Sequence, residues 1–322
     1  MQVSVPQGWG RTGFVVVIPA RNEAERLPCA LAALAAEGAL DIVVVANGCD
    51  DDTAAIARAG CPSLSVATLE TGPLANGVGA ARRLGMALAL KHAGDPVLAT
   101  TDADCTVRPG WLAATRAALD HADVVCGYVE PAPAEFAMLP PLVREHGDLE
   151  DLRDGLLAHL AALRAPAAHD PWPCHGQTPG ASLAFTARAY RLVGGFDAIP
   201  CHEDRRLVAR MASMGLRVAR PAAVRVAASC RLEGRAPGGM ADTIAARRDD
   251  EPLLVREIAE MTREIAALRQ AIAEAGAPER TRPHRVPAAQ TPPSIFMSGW
   301  MPENDGGDEG IRTLETVSRL LP

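Results

Sequence analysis

The sequence predicts an α/β fold: a mostly parallel sheet flanked by helices, with a helical extension at its C-terminal end. Three observations predict it. The apolar runs Phe14 to Ile18 and Ile42 to Val45 are the mark of strands buried on both faces, as parallel sheets require. Segments with apolar residues three and four apart separate such runs, so strand and helix alternate and right-handed crossovers follow. Polar turns fall after strands at Pro19 to Glu23, Asn47 to Thr53 and Asp102 to Asp104, and ligands of such sheets sit outside the carboxyl ends of the strands.

Taken in order, the first apolar run is a buried strand stopped by Pro19. A helix follows from about Glu23 to Glu37, with Leu27, Leu31 and Leu34 on one stripe. Ile42 to Val45 is the second strand. A helix near Thr53 to Ala59, a strand near Leu64 to Thr68 and a helix from about Gly77 to His92 lead to a strand at Val97 to Thr101. The second half reads less regularly. Val124 to Val129 is a strand, Leu149 to Leu163 is helical, and Gly176 to Phe185 joins a Gly-rich turn to a short strand. Arg188 to Val193 is a short helix ended by Gly194 and Gly195. His202, Glu203 and Asp204 open another helix, with Leu207, Met211 and Met214 as its buried stripe and Gly215 as its stop. Leu216 to Val218 and Val224 to Ala227 are short strands. Leu254, Ile258, Met261, Ile265, Leu268 and Ile272 form a heptad seam, read either as a helix lying on its own domain or as one that joins two copies in a homodimer. Residues 277 to 322 are Pro-rich and mostly disordered on this reading, with a short docking helix at Ile311 to Leu321.

Composition narrows the classes. With 322 residues, 48% hydrophobic and 22% charged, the chain can bury a full core. A net charge of −7 argues against a general nucleic-acid binder. The eight cysteines show no Cys-x-x-Cys and no Cys/His cluster at zinc spacing, which reads as a reduced, cytoplasmic thiol set. No basic start with a long apolar stretch opens the chain, and no run reaches the roughly 18 apolar residues of a membrane span. Peripheral contact at the inner face of the membrane is compatible with both facts.

Asp102 and Asp104 are the most informative residues. Two carboxylates on one side of a strand end repel unless a cation sits with them. Mg²⁺ and Mn²⁺ take such oxygens and share them with substrate phosphates. An Asp-x-Asp is also common as a solvated turn, and its place in the alternating chain is what favours the metal reading.

The ordered set Pro19-Ala20-Arg21-Asn22-Glu23, Asn47-Gly48-Cys49-Asp50-Asp51-Asp52-Thr53, Asp102-Ala103-Asp104, Gly194-Gly195-Phe196-Asp197 and Glu203-Asp204 resembles a family-two glycosyltransferase of the GT-A fold, over about residues 13 to 235. The resemblance implies a domain at 1–250, with a donor half at about 13–110 and an acceptor half at about 111–240, then the heptad helix at 251–276. It implies transfer of a sugar from a UDP- or GDP-linked donor to the hydroxyl of a small-molecule, glycan or lipid-linked acceptor, with a divalent cation, Mg²⁺ or Mn²⁺. Pro19, Ala20, Arg21, Asn22 and Glu23 would wall the nucleotide pocket. Asn47 stands where many members place an acid that recognises the base. Asp51 or Asp52 would cap the following helix. Arg82 would face the nucleotide, as one of two even readings, the other being a surface charge. Asp104 would ligate the metal, with Asp102 touching ribose or the metal through water. Asp204 would be the general base of an inverting displacement and Glu203 would orient acceptor or metal. Arg231 and Arg235 would close on the diphosphate. His175 would contact either substrate, or be a capped or a surface histidine. No His follows His202 before the Pro-rich tail, so a further metal ligand is not identified. Two other classes compete: a non-catalytic sugar-nucleotide-binding protein, and a sugar-nucleotide pyrophosphorylase, which expects a Gly-rich basic loop where Pro19 to Glu23 stands.

Overall fold

A computed structural model describes residues 1–61, 63–234 and 239–275. The elements run β1 (Gln2–Ser4), β2 (Phe14–Ala20), α1 (Leu27–Ala36), β3 (Asp41–Asn47), α2 (Thr53–Ala59), β4 (Ser65–Thr71), α3 (Gly77–Ala93), β5 (Val97–Thr100), β6 (Cys105–Val107), α4 (Trp111–Leu119) and β7 (Val124–Cys126). They continue as β8 (Tyr128–Pro131), α5 (Pro133–Ala137), α6 (Pro141–Arg164), β9 (Leu183–Thr186), α7 (Ala187–Leu192), α8 (Glu203–Ser213), β10 (Val218–Ala219), β11 (Arg225–Ala228), α9 (Met240–Asp249) and α10 (Glu251–Glu274).

The main sheet has the order β1-β4-β3-β2-β5-β9-β7-β10. Its central pairs β4-β3, β3-β2 and β2-β5 are parallel, as the alternation predicts. Successive residues of β2 point to opposite faces, and both faces are covered. Val15 and Val17 pack with Leu84, Met86 and Phe196 on one side, while Phe14, Val16 and Ile18 pack with Leu27, Leu31 and Trp111 on the other.

Several boundaries differ from the sequence reading, each for a local reason. β2 runs through Pro19 instead of stopping there, because its pairing with β5 ends at Val17 and Pro19 has a ladder on one side only. α1 starts at Leu27, since Asn22 to Arg26 form a turn closed by Leu27 N–H on the Glu23 carbonyl. α6 starts at Pro141, eight residues before the expected Leu149; proline suits the first turn of a helix, where its missing N–H is not needed. The expected strand at Val124 to Val129 is two strands in two sheets. At the break, a Cβ on Gly127 would lie 2.0 Å from Ser182 Oγ, so only glycine lets the chain cross there. Met214, expected in the buried stripe of α8, is 48% exposed, whereas Leu207 and Met211 are buried.

The three-stranded sheet β6-β11-β8 was not expected at all. It carries the chain away from Asp104 along β6 and brings β11 back beside it, with Ser229 N–H on the Asp104 carbonyl at 3.3 Å. The heptad seam is spent within the chain. Leu254 packs with Leu139, Val143 and Ile244, and Ile265 and Ile272 pack with Leu156 and Leu160 of α6. A homodimer would therefore need a surface other than this seam. The expected tail disorder and docking helix lie outside the described residues. Among the described residues no helix is long and apolar enough to cross a membrane. All eight cysteines are free thiols.

Candidate active site

The site forms at the carboxyl ends of β2, β3 and β5, where the turns after three parallel strands meet. After β2, Asn22 takes a positive φ of 54°, a conformation that asparagine tolerates better than most residues. Its Oδ1 accepts the Asp50 N–H at 2.8 Å, tying this turn to the one after β3. Asp51 strengthens the tie. Its Oδ2 accepts the Ala24 N–H, and its Oδ1 accepts the Thr53 N–H and hydroxyl at the start of α2. Burial, the largest single effect, would raise its carboxyl, but together these bonds outweigh it and hold the carboxyl below the usual range. The expected helix-capping role falls to Asp51. Asn47 is buried, and its Oδ1 accepts the Leu74 N–H at 2.9 Å, which braces the segment after β4.

β5 ends at Thr100, so Asp102 and Asp104 lie in the turn beyond the strand and not on its last residues. They still converge: ligand atoms of Asp102, Asp104 and Cys105 lie within 4.8 Å of one another. Burial, the Asp102 charge and, less strongly, Glu23 push the Asp104 carboxyl up to about 6, against the lowering pull of Arg231. Cys105 is fully buried, and burial and the neighbouring acids keep its thiol protonated. The oxygen pair suits a hard divalent cation, whereas the protonated thiol does not.

Each aspartate has its own arginine. Asp102 accepts from Arg82 Nη2 at 2.5 Å, and Arg82 Nη1 pairs with Glu203 Oε1. Arg82 Nε also donates to Thr100 Oγ1 at 3.3 Å. Its side chain is 4% exposed, on the inner face of α3. Burial alone would lower its pKa, but Asp102 and Glu203 raise it, so it is a permanent cation. The surface-charge reading of Arg82 is thus overturned, and its fork faces two protein carboxylates. Glu203 is likewise buried; its contact is with Arg82, and burial nonetheless raises its carboxyl above the usual range. Asp104 pairs with Arg231 Nη2 at 2.9 Å, and Arg231 also grips Glu23 with both arms, at 2.7 and 3.0 Å.

Asp204 lies next to this network at the start of α8. His202, just before it, has a φ of 61°. Asp204 Oδ2 accepts the Gly180 N–H at 2.6 Å, and its Oδ1 accepts the Arg205 N–H. Gly180 is required here, because a Cβ would lie 2.5 Å from Arg82 Nη1. β9 makes this approach possible. It runs antiparallel to β5, with Leu183 opposite Thr100, so the loop before it arrives at the same rim. His175 is buried and edge-on to Tyr128 at 5.6 Å, so the surface reading is also overturned.

Arg21 is exposed, Pro19 is half-buried and Ala20 is buried. Arg235 lies outside the described residues. Sequence reasoning missed Glu135, whose carboxylate accepts from Ser229 Oγ and Cys230 N–H and pairs with Arg26. It sits about a hundred residues from those partners, and no local pattern marks it.

Residues 15–142 match the family model for glycosyl transferase family 2. The expected family resemblance is borne out over that span, and with it the reading of the chain as a glycosyltransferase enzyme. The match includes Glu23, Arg82, Asp102 and Asp104 and ends before Glu203, Asp204 and Arg231. S. aureus TarS 1–349 in complex with UDP-GlcNAc is similar, with a TM-score of 0.50 and 16% identity over 81% of this chain and 72% of that one. Mannosyltransferase PcManGT from Pyrobaculum calidifontis, in complex with GDP-Man and Mn²⁺, has a TM-score of 0.47 and 18% identity over 85% and 79% of the two chains. At 16% identity the likeness to TarS is one of fold, and that fold is GT-A. No curated protein sequence matches the chain significantly.

Proposed function

We propose that this chain, whose donor half matches glycosyl transferase family 2, moves a sugar from a nucleotide diphosphate sugar to an acceptor hydroxyl with inversion. One observation carries the reading. A single buried guanidinium, Arg82, joins Asp102 to Glu203, and Asp204 follows Glu203 directly at the start of α8. This fixes a would-be metal site and a would-be base in one rigid frame.

In this reading Asp104 and Asp102 hold a divalent cation, which when bound offsets the charge that builds on the departing diphosphate. Glu23 and its turn flank the nucleotide. Asn47 meets a base through its amide nitrogen, since its oxygen is engaged by Leu74. Asp204 takes the proton of the acceptor hydroxyl as that oxygen attacks the anomeric carbon. A carboxylate oxygen that already accepts one backbone N–H has further lone-pair capacity, and two such bonds fix the orientation of the group. Glu203 does not meet substrate; it acts through Arg82 as a positioning residue.

The test is thermal shift with UDP and with GDP, each with and without Mn²⁺, alongside a transfer assay. A diphosphate is expected to raise Tm only with the metal, and Asp104→Ala to abolish the rise. Asp204→Asn is expected to keep the rise and to lose transfer by about 10²- to 10⁴-fold. If neither nucleotide raises Tm under any metal condition, the donor-site reading fails.

A further inference from the structure

We infer that Arg231 is a resident counter-ion of Asp104, so that the chain takes up its divalent cation together with the nucleotide and not before it. The inference rests on the proposed reading of Asp102 and Asp104 as the metal site.

The geometry sets up a competition. Arg231 Nη2 lies 2.9 Å from Asp104 Oδ2, the kind of oxygen a divalent cation would ligate at about 2.1 Å. Cation and guanidinium would stand a few ångströms apart with like charge and little water between them, which at low effective dielectric is strongly unfavourable. The Asp104 contact is also the one Arg231 can give up, since it is a single ion pair beside the two bonds to Glu23. The Arg231 side chain is 18% exposed, against 4% for Arg82, and it lines an open cleft of about 400 Å³ with Asn22, Glu23, Arg26 and Leu232. Its backbone is held separately, through Ser229 N–H on the Asp104 carbonyl and the Glu135 carboxylate on Ser229 and Cys230. Swinging the guanidinium therefore does not require moving the strand end.

A nucleoside diphosphate supplies the missing partner. Its phosphate oxygens offer Arg231 Nη2 an anion in place of Asp104, while the two bonds to Glu23 stay. The freed Asp104 oxygen then faces the cation, which the same diphosphate also ligates. Metal and nucleotide are thereby positively linked, each tightening the other by the same factor.

The test measures Mn²⁺ binding to the full-length protein by the EPR signal of free Mn²⁺, with and without UDP or GDP. Wild type is expected to bind Mn²⁺ weakly alone and more tightly with nucleotide. Arg231→Gln is expected to bind Mn²⁺ alone about ten- to hundredfold more tightly than wild type, with most of the linkage gone. Arg231→Lys keeps the charge and should stay weak. If Arg231→Gln binds Mn²⁺ no better than wild type, while Asp104→Asn loses the nucleotide-dependent binding, the counter-ion inference is overturned and the metal site stands. If no variant binds Mn²⁺ even with nucleotide, both fail. The wild-type protein provides a check that needs no variant: Mn²⁺ affinity indifferent to nucleotide overturns the inference whatever Arg231→Gln does.

Discussion

Arg82 and Arg231 neutralise the two aspartates of one turn, yet they sit in opposite surroundings. Arg82 is sealed between α3, β5 and α8, with both arms on carboxylates and a glycine backbone pressed against it. Arg231 lies at the rim of a cleft, gripping Glu23 and Asp104 from the segment that follows β11, the central strand of the small sheet. The difference teaches that paired charges at one site need not do one job. The buried pair is scaffold, because breaking it strands an ion in a dry place. The rim pair is exchangeable, because water and incoming anions can replace either partner.

The sharpest way to break this comparison is to remove each arginine in turn. Arg82→Ala leaves Glu203 buried without its cation and should cost about 3–5 kcal/mol of stability, read as a large fall in the chemical-denaturation midpoint. A loss below 1 kcal/mol would show that Arg82 is no scaffold. Next in size is the aspartate that Arg231 faces. Its carboxyl is raised from an ordinary value of 3.8 to about 6, so the folded state disfavours the charged form. That penalty is absent below pH 3.8 and complete above pH 6. With EDTA present, Asp104→Asn should therefore stabilise the protein by about 2–3 kcal/mol at pH 8, and the gain should fade as pH falls through 6 towards 4. A gain that is flat across this range would mean that Asp104 is not the strained group. The smallest effect is expected from Arg231→Gln, which takes from Glu23 its charged partner and should cost about 1–2 kcal/mol, read as a fall in Tm, at pH 7 without ligand. A loss as large as that for Arg82→Ala would erase the distinction between the two arginines.

The donor half was legible in the sequence because its signals are strong and local. Strands such as Ile42 to Val45 are apolar at every position, and the turn acids follow them directly. The acceptor half was less so. β6 and β8 are three and four residues long, too short to show a period, and their sheet is assembled from segments far apart in the chain. The reversed direction of β9 cannot be read from Leu183 to Thr186 themselves. The early start of α6 is hard to read because Pro140 and Pro141 mark a helix start in a stretch otherwise mixed with prolines. At the site, Asp102, Asp104 and Asp204 were named from motifs, but their partners were not paired. Arg82 meets Glu203 across 121 residues and Arg231 meets Glu23 across 208, and no spacing rule reaches so far.

The Gly180 contact has a consequence for how this site tolerates mutation. The donor that orients Asp204 belongs to the main chain, so among substitutions at position 180 only proline would delete it. The same residue, however, has no room for even a methyl group against Arg82. At position 180 itself an alanine would push Arg82, and through it Asp102 and Glu203, out of place. Selection acting on this position would read volume and the backbone N–H.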